Sequence, residues 1–425
     1  MHRILAATIA IAAVVSALRP SPAASQPAAS APFQLPSPTG PYAIGTTAWH
    51  VIDESRREIF TGSANFRQIH VLAWYPARVR RGSSAPYLRE GLAEVRTFAT
   101  LFRVPETSFD DLERVRTHAE VDAPPADTPR TFPVLVFSHG YTGIPSAYTA
   151  LLEDLASHGY VVLSVVHPYE ATAATLRDGR VVTLLDRSGA LLPAIREVFD
   201  EWGPEDDTMA AVTRAADDVE QTRLLRGYLA GLRRTHAALQ RWVQDTRVVL
   251  DRLSSLERRS LAGQLGARLD LNRLGAFGHS MGGVTAGQFC VEDRRCRAGL
   301  NLDGIPQYGT MIDTRMRVAF LMVYSARPGR LGASDAIYRR AARPYYRVDV
   351  RDTRHLDFSD MAFWGGALRE RPVLGTIPPP RVAEISSVIV RQFFDQELLG
   401  QRSTLLAGAQ LFPEISVSTL PAPER

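Results

Sequence analysis

The stretch "NRLGAFGHSMGG" (residues 272–283) decides how this chain is read. It passes from a strand-like apolar segment into a serine with glycines two before and two after it, then into the helix-like "GGVTAGQFC". The spacing of Gly278, Ser280 and Gly282 is weak evidence by itself, because a G-x-S-x-G arises by chance in roughly one chain in ten of this length. The setting carries more. A serine on a sharp turn between strand and helix is held in a strained, exposed conformation, and side chains at the glycine positions would collide with the turn. Ser280 is therefore a candidate nucleophile.

A serine hydroxyl attacks nothing at neutral pH without a base, a group that orients the base, and donors for the developing oxyanion. On a strand–turn–helix serine the triad runs Ser, then Asp or Glu, then His. Of ten histidines only His355 follows Ser280, in the loop "RDTRHLDFSD" after the strand-like "YYRVDV". It is the candidate base. For the acid, Asp303 ends the strand-like "AGLNLDG", where ligand-facing residues of parallel sheets collect. After the next strand, "VAFLMVYS", the chain offers no carboxylate before Asp335; that residue and Asp313 are the alternatives, and a turn cap is the plain structural role for Asp303. The oxyanion donors expected are the amides of Met281, next to the nucleophile, and Tyr141, in "FSHGYTG" (137–143), where Gly140 lets the backbone turn. His139 precedes the serine, so a structural role is expected for it.

Around these residues the pattern alternates. "PVLVFS" (133–138) is a short continuous apolar run of the kind a buried parallel strand needs. Tyr148, Leu151, Leu152 and Leu155 then recur at helical spacing, Gly159 ends the helix, and "YVVLSVV" (160–166) supplies a second strand. Strand, helix and strand at this spacing make a right-handed parallel crossover. The expected class is α/β: a mostly parallel central sheet flanked by helices. Residues 105–132 look like a long surface loop. From 208 to 258 the sequence reads as one long helical pattern, with "WVQDTRVVLDRL" packing on the sheet and the part before it more lid-like. An amphipathic helix, "EISSVIVRQFFDQELLG", and a Pro-containing tail (401–425) close the chain.

The ends and the composition narrow the function. His2 and Arg3 precede the apolar run "ILAATIAIAAVVSAL", and "SPAAS" follows, as in a secretory signal over residues 1–25; the run is short for a transmembrane span. Residues 26–40 are a Pro/Ala/Ser-rich leader, read as mobile. A secreted or periplasmic location is expected. The 49 basic residues are all arginine and the formal charge is only +4. No Schiff-base lysine and no Walker-type phosphate loop are available, and interleaved acids argue against a nucleic-acid partner. Cys290 and Cys296 can pair in an oxidising compartment, the alternative being two free thiols. With no further cysteine cluster and no H-E-x-x-H, neither a metal nor a cofactor is expected.

Taken in order, "PTGPYAIGT", "LAWYPA", "PVLVFSHGYTG", "WVQDTRVVLDRL", "FGHSMGG", "AGLNLDG" and "HLDFSD" resemble the platelet-activating factor acetylhydrolase family, also called lipoprotein-associated phospholipase A2, with its secreted bacterial relatives. The resemblance spans roughly residues 38–400. It implies an α/β-hydrolase fold over residues 41–400, with Ser280 as nucleophile, Asp303 as acid, His355 as base and the Tyr141 and Met281 amides as oxyanion donors. It also implies hydrolysis of short or oxidised acyl esters at the second position of phospholipids, without calcium. A small-molecule or lipid ester is then the expected partner, with transient contact to a lipid surface compatible and no obligate protein partner indicated. Residues of about 188–235 have no counterpart in the family, making them a helical insertion and candidate lid. "HGYTG" is also similar to cutinase-type polyester hydrolases, so a broad carboxylesterase or polyester hydrolase is the alternative activity. A non-catalytic binding protein on a hydrolase scaffold is the alternative from another class.

Overall fold

The computed structural model describes residues 33–420, apart from 63, 79–81, 129, 258, 307, 339–340 and 342. The expected secretory signal, residues 1–25, lies outside the described residues. In chain order the strands are β1 (Ala43–Arg57), β2 (Phe66–Ala77), β3 (Ser84–Pro86), β4 (Arg116–Val121), β5 (Phe132–Ser138), β6 (Val161–Val166) and β7 (Ala173–Thr175). They continue with β8 (Val181–Thr183), β9 (Leu269–His279), β10 (Cys296–Leu302), β11 (Ala319–Ser325), β12 (Tyr345–Val350) and β13 (Ile415–Leu420). β7 and β8 form a small hairpin; the others make one sheet in the order β13-β12-β11-β10-β9-β5-β6-β2-β1-β4-β3. From β6 to β12 every neighbouring pair in that order is parallel. β2 joins β6 antiparallel, and β13 joins β12 antiparallel.

The helices are α1 (Leu92–Phe102), α2 (Thr149–Ser157), α3 (Pro193–Glu201), α4 (Glu205–Arg214), α5 (Asp218–Leu229) and α6 (Arg233–Arg252). After these come α7 (Leu261–Gly266), α8 (Met281–Glu292), α9 (Asp335–Tyr338), α10 (Gly366–Arg369) and α11 (Pro379–Leu399). Both faces of the sheet are covered. Val134 and Val136 of β5 enter a core with Leu239, Trp242 and Val249 of α6 and Val284 and Phe289 of α8. Leu135 and Phe137 enter the opposite core with Leu151, Leu152 and Leu155 of α2 and Ile389 and Phe393 of α11. Alternate residues of one strand thus feed two cores. That is why β5, β6 and β11 are buried from end to end and read as continuous apolar runs rather than alternations. Each large aliphatic so enclosed stabilises the fold by about 1.5–3 kcal/mol. This is the α/β-hydrolase arrangement, with the loops that follow β5, β9, β10 and β12 gathered at one sheet edge.

Four expectations need correction. The long helical pattern is broken twice, at residues 215–217 between α4 and α5, where Ala215 and Asp217 are extended, and at residues 230–232 between α5 and α6. There Gly231 N and Leu232 N turn back onto Tyr228 O and Leu229 O, at 3.0 and 3.1 Å, and glycine weakens a helix interior. The stretch 105–132 is not all loop: β4 lies in it and runs parallel to β1. The C-terminal tail supplies β13. Finally, the leader is docked where it is described: Leu35 is buried, and Thr39 donates from its amide and its hydroxyl to Asp154 Oδ1, at 2.7 and 2.8 Å.

Helices α3, α4 and α5 are anchored thinly. Each sends two residues into the core: Ile195 and Val198, Met209 and Val212, Leu225 and Leu229. Among the described residues, no helix is long and apolar enough to cross a membrane.

Candidate active site

Ser280 stands between the end of β9 and the first turn of α8, at φ 55° and ψ −128°. A non-glycine residue held there costs about 1–3 kcal/mol of backbone strain and persists only where the surroundings enforce it. The enforcement is visible. A Cβ on Gly282 would lie 2.0 Å from Ser138 O, and one on Gly278 would lie 2.4 Å from the Gly282 backbone. Only bare backbone lets the turn close this tightly. The Ser280 amide donates to Leu302 O at 2.9 Å, which seats the serine against the end of β10. A Cβ on Gly140 would lie 3.3 Å from that of Ser280, so the loop after β5 passes directly over the serine.

Asp303 follows β10, also at a positive φ of 55°. It is fully buried, and both oxygens are engaged. Oδ1 accepts from Ser325 N at 2.8 Å; Oδ2 accepts from His355 Nδ1 at 2.7 Å and pairs with Arg327 Nη2 at 3.0 Å. Burial alone would raise this carboxyl, but the Arg327 charge, the His355 contact and the Ser325 amide together hold it well below the usual carboxylate range. The His355 side chain is about one quarter exposed. Burial, and then the charge of Arg327, lower its pKa below the ordinary 6.5, against the opposing pull of Asp303. A neutral imidazole donating from Nδ1 leaves Nε2 as its acceptor.

A buried lattice of hydrogen bonds ties the three loops together. His279 Nε2 is 2.8 Å from His355 O, and its Nδ1 is 2.9 Å from Tyr148 Oη. The network assigns the proton to Nε2, with the Tyr148 hydroxyl donating to Nδ1. Burial and the nearby His355 push the His279 pKa down to about 3, so the ring stays neutral. Tyr148 Oη in turn accepts from Gly140 N at 3.3 Å. Thr142 N donates to Glu170 O at 2.9 Å, and Gly143 N to Gly140 O at 2.9 Å. Among the described residues, these bonds occupy the loop's neighbouring amides and leave that of Tyr141 over. Met281 is the first residue of α8, so its amide has no intrahelical acceptor and lies at the positive end of the helix dipole.

His139, expected to be structural, stands behind this loop. Its Nδ1 donates to Gly140 O at 2.7 Å and its Nε2 accepts from His167 N at 3.3 Å. Burial pushes its pKa down to about 3. The Tyr141 ring is buried against Phe199 and Trp202, in and just after α3, and against Trp242 of α6. Helix α3 therefore packs on the same loop that passes over Ser280.

The structure brings Ser280, Asp303 and His355 to one place. The rival acids lie elsewhere: Asp335 accepts from Tyr324 and Tyr345 and pairs with Arg347, and Asp313 pairs with Arg226 at the surface. Cys290 and Cys296 are joined by a disulfide, with a Cα–Cα distance of 5.0 Å. Among the described residues, no group of three or more His, Cys, Asp or Glu is placed to hold a metal ion. Arg327, Tyr148 and the structural role of His279 were not anticipated. Arg327 had one legible signal: in "VYSARPG" it falls two residues past a strand end that faces the site. Tyr148 reads from the sequence as one more apolar member of a helix stripe.

These features define an α/β-hydrolase with a serine elbow. Within that class the comparisons with known proteins are specific. Residues 28–182 match the family model described as platelet-activating factor acetylhydrolase, isoform II. The chain is 24% identical to the platelet-activating factor acetylhydrolase of Canis lupus familiaris over 250 residues, 57% of this chain and 52% of that protein. It is 22% identical over 415 residues to a "Probable 1-alkyl-2-acetylglycerophosphocholine esterase" of Arthroderma benhamiae, covering 90% of this chain and 93% of that one. Among solved structures, the ferulic acid esterase from Streptomyces cinnamoneus superposes with a TM-score of 0.67 at 25% identity, over 91% of this chain and 99% of that one. The chain spans about half the length of the dog protein and 36% of the bovine one. Over these segments the chain is similar to the platelet-activating factor acetylhydrolases.

Proposed function

We propose that this chain is a serine carboxylic ester hydrolase. The observation that carries the proposal is the strained Ser280 beside a buried Asp303 paired with a partly exposed His355. Ser280 Oγ attacks the ester carbonyl while His355 Nε2 takes its proton; the same nitrogen then protonates the leaving alcohol. Asp303 holds the imidazole tautomer and stabilises the imidazolium. The amides of Tyr141 and Met281 receive the oxyanion, and a preorganised donor of this kind contributes about 2.7–4 kcal/mol to the transition state. Water, deprotonated by His355, releases the acid. No metal or cofactor enters this scheme.

For substrate we favour short or oxidised acyl esters of glycerophospholipids, by similarity to the acetylhydrolases. The ferulic acid esterase matched over 99% of its length supports a second reading, a carboxylesterase without phospholipid preference. Helices α3 to α5, with α3 on the Tyr141 ring, would then cap the acyl pocket, and residues 1–25 would direct export. The test pairs wild type with Ser280→Ala on an acetylated ether phospholipid, a short nitrophenyl ester and a polyester film. Turnover that needs Ser280 and favours the phospholipid supports the first reading. Equal or better turnover of the simple ester moves the assignment to the second. Hydrolysis that survives Ser280→Ala removes the mechanism, and no turnover by wild type leaves a binding scaffold.

A further inference from the structure

Resting on the assignment of Asp303 and His355 as acid and base, we propose that Arg327 is a positioning residue: it fixes Asp303 from the loop after β11 and keeps His355 neutral as a base. Its Nη2 reaches two atoms of one residue, Asp303 Oδ2 at 3.0 Å and the Asp303 carbonyl at 3.3 Å. The guanidinium thus holds both the side chain and the positive-φ backbone of the acid. The oxygen it contacts is also the one that accepts from His355 Nδ1. A cation sharing that oxygen draws on the charge that would otherwise stabilise a protonated imidazole, and it repels the imidazolium directly.

Arg327 is not used up by the fold. Its Nε is buried with no hydrogen-bond partner among the described residues, an arrangement that costs about 1–3 kcal/mol and that packing alone would not select. The loop that carries it is tied on both sides. Ala326 N donates to Thr353 O at 3.2 Å, and Arg354 Nη1 to Ala326 O at 3.3 Å, just before His355. Three residues beyond Arg327, Arg330 pairs with Glu205 at 2.8 Å and with Asp206, both in α4. One short loop therefore connects the triad acid, the segment leading to the base, and the thinly anchored helices. The charged and titratable groups facing His355 are Asp303, Arg327, Arg330 and His279; the two arginines lower its pKa and Asp303 raises it.

The experiment measures kcat/KM against pH from 4.5 to 9 on a soluble nitrophenyl ester, for wild type, R327M and R327K, with S280A as control. The His355 pKa is followed in parallel by NMR of ring-labelled histidine, assigned with H355Q. Expected for R327M is an acidic midpoint raised by about one unit, so that activity falls about tenfold below the midpoint and less at pH 8. R327K, which keeps the charge, should restore the wild-type midpoint. R327Q replaces R327M if the latter does not fold. A uniform loss across pH with an unmoved midpoint and unmoved NMR pKa would overturn the proposal and leave Arg327 a packing residue. If ester hydrolysis does not depend on Ser280, the enzyme assignment fails separately, and the NMR shift still decides whether Arg327 sets the His355 pKa.

Discussion

Among the described residues, two aspartate–histidine–arginine groups make contacts of the same kind. In one, Asp303 Oδ2 takes His355 Nδ1 at 2.7 Å and Arg327 Nη2 at 3.0 Å. In the other, Asp245 Oδ2 takes His167 Nδ1 at 2.8 Å and Arg67 Nη2 at 2.8 Å. Both carboxyls are held below their usual range against the effect of burial. The surroundings differ. His167 is wholly enclosed and stacks on the Trp242 ring at 4.0 Å. Arg67 also pairs with Glu58 and Glu170, so that group is an internal brace. His355 is partly exposed, on a loop tied to the residue before Ser280. Chemistry of the pair alone does not mark a candidate triad; an open edge and a strained serine beside it do. The brace still serves the site, since His167 N and Glu170 O hold His139 and Thr142 in the loop over Ser280.

The comparison can be broken by exchanging each aspartate for its amide. Asp303→Asn should lower kcat by about 10⁴-fold, with a smaller loss of thermal stability than the other exchange, because the Arg327 it leaves behind is partly exposed. Asp245→Asn should do the reverse: it leaves Arg67 short of its nearest partner and should cost about 3–5 kcal/mol of stability, read by denaturant unfolding, with a far smaller loss of kcat in the folded protein. Two variants with the same signature would mean that the groups do not differ as described. A finer test is Tyr148→Phe. It removes the hydroxyl between His279 and Gly140 and should cost about 1–3 kcal/mol, accompanied by a modest fall in kcat that appears with unchanged KM.

How much of this was legible in the sequence depends on which physical constraint each residue obeys. As members of the candidate site, Ser280 was readable because a strained turn demands glycines at fixed positions, and His355 because the chain order left one histidine. Asp303 needed the strand end before it. The doubly covered strands β5 and β6 were readable as apolar runs. Strand β4 was not, because its residues Arg116–Val121 alternate at a sheet margin and look like loop. The break before α6 was hidden inside a continuous helical periodicity. Arg327 and the Asp245 brace were hidden for another reason: in a chain whose 49 basic residues are all arginine, no single arginine stands out. Their roles are set by contacts between segments dozens of residues apart, which periodicity does not encode.

The central claim is that Ser280 is the nucleophile driven by His355. It is tested most directly by treating the full chain with a fluorophosphonate and mapping the adduct by peptide mass spectrometry. The account predicts a single adduct on Ser280, formed quickly by wild type and by Asp245→Asn, and slowed severely in His355→Ala. An adduct on any other residue, or labelling of Ser280 that is indifferent to His355, would contradict it.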